Sequence, residues 1–264
     1  MVTYKINIVV LSDRQLGESF LVYVVGRLCV ACGKCTYYCP TGAIKLGKTA
    51  MVDQELCVEC STCVRAECPV DAIRQPDLKP PRLLRKLFSD PLATFEETGV
   101  PGRGTEEMKT NDVTEIIGFG EAGWGIELGR PSVSTKFIDV EKVTTALAEQ
   151  GVEFADGNPV SLLIEHKTGK FTTNNPWHLS PDEIRQLRAL SAIVEFKTSK
   201  EKIPAIIQTL KNISNNLDTT FCIGVISRWK DGEIELLPIL ESIPDIKVRP
   251  NGKHNVGIGR PGYV

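Results

Sequence analysis

Eight cysteines packed between Cys29 and Cys68 constrain this chain more than anything else in it. They read Cys29-Val-Ala-Cys32-Gly-Lys-Cys35-Thr-Tyr-Tyr-Cys39-Pro40 and Cys57-Val-Glu-Cys60-Ser-Thr-Cys63-Val-Arg-Ala-Glu-Cys68-Pro69. The runs are an internal repeat, 28 residues apart, and each closes on a matching tail: Thr41-Gly42-Ala43-Ile44 and Val70-Asp71-Ala72-Ile73. This spacing is that of metal ligation. A disulfide framework belongs to short secreted chains. Here the first residues, MVTYKINIVVLSD, lack a basic start, a long apolar centre and a small-residue cleavage site, so no secretory signal is expected. Two four-cysteine zinc sites would be built from separated Cys-x-x-Cys halves without the Cys-Pro step.

Over residues 27–75 the chain resembles bacterial-type two-cluster ferredoxins, in which such runs hold two [4Fe–4S] clusters. Three cysteines separated by two residues wrap three thiolates around one corner of a cubane. The proline ends the wrap and redirects the chain, so the remote cysteine reaches the other cluster. The resemblance implies that Cys29, Cys32, Cys35 and Cys68 hold one cluster, and that Cys57, Cys60, Cys63 and Cys39 hold the other. One departure is visible: four residues, not three, separate Cys63 from Cys68. The extra residue is expected to bulge the loop near the cluster that Cys68 reaches, which puts the symmetry of the two potentials in question. The charges within the motifs, Lys34, Glu59, Arg65 and Glu67, balance, so they do not rank the potentials. A low-potential, oxygen-sensitive pair is the expectation.

Composition removes other classes. The 264 residues carry 31 Lys+Arg against 33 Asp+Glu, a net charge of -2, which argues against a nucleic-acid partner because such binding depends on neutralising phosphates. No apolar run approaches the ~20 residues of a membrane helix, so no membrane insertion is expected and the location is read as cytoplasmic. The length allows one large domain or two ordinary ones.

The fold class read from the chain is α+β: a two-cluster ferredoxin-like N-terminal module, then an α/β sandwich domain with a split βαβ layout. Residues 1–78 form the module, with strands over 4–11 and 19–25. Residues 79–131, rich in Gly and Pro, are a linker and a candidate interface or site loop, with a short helix over 82–88. Residues 132–264 form the second domain. There, helices are expected over 139–150, ended by Gly151, and over 200–217, whose Ile203, Ile206, Ile207, Leu210 and Ile213 share a face. Ser180-Pro181-Asp182-Glu183 spells a helix start. Strands are expected over 152–155, 160–166, 189–196, 220–228 and 246–248, while 236–243 is a helix or a strand.

Gly118-Phe-Gly-Glu-Ala-Gly123 has the spacing of a dinucleotide loop, but Gly125, Gly129 and Pro131 oppose the helix such a loop needs, so a conformationally demanding loop is expected instead. Gly129-Arg130-Pro131 is echoed by Gly259-Arg260-Pro261. Two arginines at one site would suit an anionic small molecule, with Asn111 nearby in sequence; Lys109 and His254 are the candidate catalytic residues. GTEEMKTNDVT (104–114), GWGIELGRP (123–131) and KHNVGIGRP (253–261) resemble the ferredoxin-bearing segment of 6-hydroxynicotinate reductase-type proteins. That resemblance implies an iron–sulfur component of a reductase, with a flavin on this chain or on a partner. Cys222 is expected as a buried core thiol, and Trp124, Trp177 and Trp229 as packing anchors. His166 and His178 have no metal-ligand partner at useful spacing. The leading function is electron transfer through two clusters to a redox partner or reductase subunit. The rivals are a ferredoxin-dependent reductase component and a redox-linked small-molecule sensor.

Overall fold

The structure is a computed structural model that describes residues 21–96, 100–101, 115–230 and 232–249. The strand expected over 4–11 lies outside them, as do Lys109, Asn111, His254 and Arg260.

The cysteine block folds as one small unit. Strand β1 (Tyr23–Val24) pairs antiparallel with β4 (Ile73–Arg74), joining the two ends of the block. Between them lie a hairpin, β2 (Ile44–Leu46) with β3 (Ala50–Val52), and two short helices, α1 (Lys34–Tyr38) and α2 (Thr62–Arg65), one in each cysteine run. Few side chains are left to form a core. Val22, Ala43, Ile44, Ala50 and Ile73 pack together with Cys57 and Cys63.

Helix α3 (Arg82–Leu87) leads out of this unit, followed by the short pair β5 (Thr94–Phe95) and β6 (Val100–Pro101). The larger unit is built on a four-stranded sheet in the order β12-β7-β11-β9, antiparallel throughout: β7 (Glu121–Leu128), β9 (Glu153–Phe154), β11 (Ala192–Ser199) and β12 (Phe221–Ile226). Helix α4 (Phe137–Glu149) follows β7, and α6 (Ile203–Ser214) lies between β11 and β12. Strand order, direction and intervening helices are those that a split βαβ layout requires. Smaller elements fill the connections. The strand β8 (Thr135–Lys136) pairs with β10 (Arg188–Ala189), the capped helix α5 (Pro181–Arg185) precedes β10, the hairpin β13 (Trp229–Lys230) with β14 (Glu233–Ile234) follows β12, and α7 (Leu237–Glu241) comes last.

Alternation explains β7. Ala122, Trp124, Ile126 and Leu128 point to the core, while Gly123, Gly125 and Glu127 occupy the other face. Trp124 lies flat on Phe196, with ring centroids 5.6 Å apart, and its indole N–H donates to Thr198 Oγ1 at 2.9 Å. Helix α4 contributes Phe137, Val140, Val143 and Leu147 to this core, and α6 contributes Ile203, Ile206, Ile207 and Leu210. Fully burying each such side chain contributes roughly 1.5–3 kcal/mol. At α5, Ser180 Oγ accepts from the Glu183 amide while Glu183 accepts from the Ser180 amide, the reciprocal cap that the sequence spells.

Four expectations are corrected. Residues 121–128, read as part of a linker, form an inner strand of the sheet; the glycines between the apolar residues mask the period-two alternation. Residues 160–166 contain a 3-10 turn, Ser161–Leu163, rather than a strand. Residues 246–248 are not a strand. Cys222 is exposed, because β12 is an edge strand and Cys222 pairs with Glu127 on the face away from the core.

Gly129 sits at φ +86, and a Cβ there would stand 2.5 Å from the carbonyl oxygen of Leu190. Its amide donates to Thr220 O at 2.9 Å, so the turn cannot shift freely. Gly129→Ala is expected to cost about 2–3 kcal/mol and lower the thermal midpoint by roughly 5–10 °C. A melt matching the parent protein would contradict this packing.

Candidate metal centre

The sequence repeat reappears in the backbone. Ala31 and Gly33 in the first run, and Glu59 and Ser61 in the second, all take positive φ, as do Gly42 and Asp71 after the two Cys-Pro steps. Left-handed residues placed this way turn backbone N–H groups into a concavity suited to an anion, an arrangement found at phosphate and iron–sulfur sites. The Ala43 amide donates to Cys39 Sγ at 3.2 Å and the Ala72 amide to Cys68 Sγ at 3.3 Å, the same relation in both repeats. Cys29 Sγ accepts from the Ala50 amide at 3.4 Å, and Cys60 Sγ from the Thr62 hydroxyl at 3.3 Å. Donors aimed at sulfur favour its ionised, ligating form. The extra residue of the second run is absorbed by Glu67, which takes a positive φ just before Cys68 and accepts Lys34 Nζ at its carbonyl, 3.1 Å away.

Two cavities open on these sulfurs. Cys29, Cys32, Cys35 and Cys68 line one, together with Val24, Leu46 and Ile73. Cys39, Cys57, Cys60 and Cys63 line the other, and Cys63 also borders the first. All nine cysteines are free thiols, which removes the disulfide framework. Among the described residues, no three Cys, His, Asp or Glu side chains converge as tightly as a single metal ion requires. Thiols spread around a cavity fit a polynuclear cluster.

The surroundings of the two cavities differ. Cys57, Cys60 and Cys63 are buried, whereas Cys32 is exposed and Cys29, Cys35, Cys39 and Cys68 are partly so. Burial pushes the Cys63 thiol up to about 12, helped by repulsion from Cys60, Cys57 and Cys39. Burial, with Glu59 beside it, pushes Cys57 up to about 11, and burial also raises Cys35. A bare thiolate is disfavoured in such a place, while a coordinated metal reverses that preference and releases the protons.

Three arginines hold the second run. Arg65 pairs with Asp90 at 2.9 Å and donates to Cys60 O at 2.8 Å. Arg82 pairs with the buried Glu59 and donates to Gln54 O at 2.7 Å. Arg85, also buried, donates only to backbone carbonyls, including Cys57 O at 2.9 Å and Gln54 O at 3.0 Å. Burial lowers the Arg85 pKa, and the neighbouring Arg82 lowers it further. Among the described residues the buried Nε atoms of Arg82 and Arg85 have no hydrogen-bond partner. Glu55 and Glu59 offset part of the lowering at Arg85. A cluster held by four thiolates is itself an anion, so the buried Arg85, which donates to Cys57 O, would place a favourable charge beside a cluster in the cavity that Cys57 lines.

Of the other predicted site residues only Arg130 is among the described ones; one of its Nη atoms pairs with Glu127 at 2.9 Å. The Gly118–Gly123 run enters β7 at Glu121 and no helix follows it, so the dinucleotide reading falls. Trp124 is a packing anchor; Trp229 is exposed. Arg82, Arg85, Asp90 and Gln54 do not stand out in the sequence as site residues, because no local motif marks them. Their only signal is a short helix with leucines toward one side and arginines toward the other.

Residues 22–45 match the 4Fe-4S binding domain family. The chain is also 48% identical over 70 residues to a component of the ion-translocating oxidoreductase complex of Methanosarcina acetivorans. That match covers 26% of this chain and 25% of the relative, so the chain spans about a quarter of that relative's length. No solved structure matches the chain. The family match carries the first cysteine run. These matches give no support to the whole-chain resemblance to 6-hydroxynicotinate reductase-type proteins. Among the described residues, no helix is long and apolar enough to cross a membrane.

The raised thiol pKa values set a pH limit for the cluster-free protein. An unfolded thiol ionises near ~8.5, while in the fold Cys57 and Cys63 hold their protons to about 11 and about 12. The stability from these buried neutral thiols is therefore fully present below pH ~8.5 and is lost as pH rises through the folded values. Denaturant titrations of the apo-protein between pH 7 and pH 10.5 should show a falling midpoint. A flat profile would contradict the burial of these thiols.

Proposed function

We propose that this chain is an iron–sulfur electron-transfer protein or subunit that passes low-potential electrons through two [4Fe–4S] clusters to a reductase partner or flavin. Cys29, Cys32, Cys35 and Cys68 hold the first cluster, and Cys57, Cys60, Cys63 and Cys39 the second. The observation that carries this reading is the composition of the two cavities. Each is lined by three cysteines of one run and the last cysteine of the other, and Cys63, which lies between them, borders both. The 4Fe-4S binding domain match over 22–45 supports the iron–sulfur role, and the relative's place in an oxidoreductase complex supports a redox partner.

When bound, each cluster supplies a one-electron couple. The chain's own residues set how the two differ. The first cavity has the exposed Cys32 on its wall and faces solvent. Cys57, Cys60 and Cys63 of the second are buried, which resists added negative charge; Arg82 is paired with Glu59, which lines that cavity, whereas Arg85 donates to Cys57 O and favours that charge. Arg85 gives the second cluster the higher potential, so an electron arriving past Cys32 settles next to α3 and the larger domain.

Anaerobic reconstitution tests the ligand assignment. Cys68→Ala should remove the same paramagnetic signal as Cys32→Ala, and Cys39→Ala the same signal as Cys60→Ala. Loss of the Cys60-type signal in Cys68→Ala would refute the exchange of ligands. Arg85→Met should lower the potential of the second cluster by on the order of 50 mV, read by spectroelectrochemistry, and leave the first unchanged.

A further inference from the structure

We propose that β12 is a self-pairing edge, through which two copies of this chain join their four-stranded sheets antiparallel about a two-fold axis at Ile223. Strand β12 is the outer strand of the order β12-β7-β11-β9, and its Cys222, Ile223 and Gly224 are exposed. A strand edge is a template for another strand unless the fold blunts it. The opposite edge is blunted: β9 is only two residues long, and its Glu153 pairs with Lys197 at 3.5 Å. Strand β12 has no such device. Phe221-Cys222-Ile223-Gly224-Val225-Ile226 carries no charge and no proline, and it pairs with β7 in unbroken register without a bulge.

The ladder shows which backbone groups are open. The Gly129 amide donates to Thr220 O at 2.9 Å, one step beyond the Phe221–Leu128 pair, so Thr220 turns its polar groups toward β7. Those of Cys222, Gly224 and Ile226 follow by alternation, while those of Phe221, Ile223 and Val225 point to the open edge. A two-fold centred on Ile223 sets open groups against open groups: Ile223 against Ile223 of the second copy, and Phe221 against its Val225. The same register sets Cys222 against Gly224, where the missing side chain leaves the thiol room, and Asp218 against Arg228. The Asp218 side chain is 74% exposed. Among the described residues no carboxylate pairs with Arg228, whose guanidinium lies over the Phe119 ring, 4.7 Å from its centroid. An acid and a base at equal sequence distance on either side of the centre are what an isologous contact requires, and they select a second copy over an unrelated strand. Exposed apolar groups obey the same symmetry. Val133 adjoins Ser132, which is bonded to Thr220 at one end of the strand, and Trp229 stands at the other. In the antiparallel pair each Val133 end meets the Trp229 end of the other copy.

Sedimentation velocity of the full chain, handled anaerobically, tests this between about 1 µM and 200 µM. A monomer–dimer equilibrium is expected. Ile223→Pro removes only an outward amide and should weaken the dimer about tenfold or more with the far-ultraviolet circular dichroism unchanged. Should that variant fail to fold, the charged ends decide alone. Arg228→Asp sets acid against acid at both ends and should weaken the dimer about tenfold, and Asp218→Arg added to it should restore the dimer to within about threefold of the parent. A chain that stays monomeric over the whole range overturns the proposal. So does a dimer indifferent to Ile223→Pro, or one that Arg228→Asp weakens and the reciprocal exchange does not restore.

Discussion

The N-terminal unit depends on its own cysteine sulfurs as core material. Cys57 and Cys63 are packed among a handful of small apolar side chains, and no large side chain replaces them. A unit of this size rarely stands on hydrophobic burial alone. Metal ligation therefore belongs to its folding energy as well as to its chemistry. The same constraint accounts for the left-handed residues. To bring three thiols to one cavity within seven residues, the chain must turn at Ala31 and Gly33, and again at Glu59 and Ser61. Glycine meets that demand at one position only; the others accept backbone strain that the surrounding structure holds in place.

Helix α3 couples this unit to the larger domain because its two sides have different partners. Leu84 and Phe88 enter the core of the sheet domain, where Phe88 meets Phe137 edge-on at 4.9 Å. Arg82 and Arg85 reach the opposite way, to the carbonyls of the second cysteine run. Just beyond, Asp90 pairs with Arg65 of that run while Ser89 accepts the Leu190 amide at 2.9 Å. Within nine residues the chain thus grips both units. Cys57, Cys60 and Cys63 of the run that this bridge holds are buried, whereas Cys32 of the first run is exposed. The asymmetry between two nearly identical sequence repeats comes from what packs on them.

Much of the larger domain is legible in the sequence. The helix at Phe137–Glu149 and its Gly151 stop, the reciprocal cap at Ser180, and the apolar face of Ile203–Leu210 all follow from local spacing and capping chemistry. Strand β7 is obscured because glycines alternate with its large apolar residues, so its composition reads as loop although its period reads as strand. Residues 160–166 carry an apolar run that a 3-10 turn buries equally well. Cys222 reads as buried from its apolar neighbours, but it pairs with Glu127 on the face of the sheet away from the core, and which face a strand residue takes is fixed by register, not by the strand's composition.

For the candidate site, the sequence by itself determined which residues are thiols, their repeat and spacing, and hence the cysteine-rich module with its one extra residue before Cys68. These are local facts, carried by bond lengths and by residues a few positions apart. Tertiary structure decided which thiols are buried, that Arg85 is held against the Cys57 carbonyl, and that Arg130 pairs with Glu127. Each of these depends on the dielectric and charge around a group, which are set by segments distant in the chain and brought near only when the two units pack on α3.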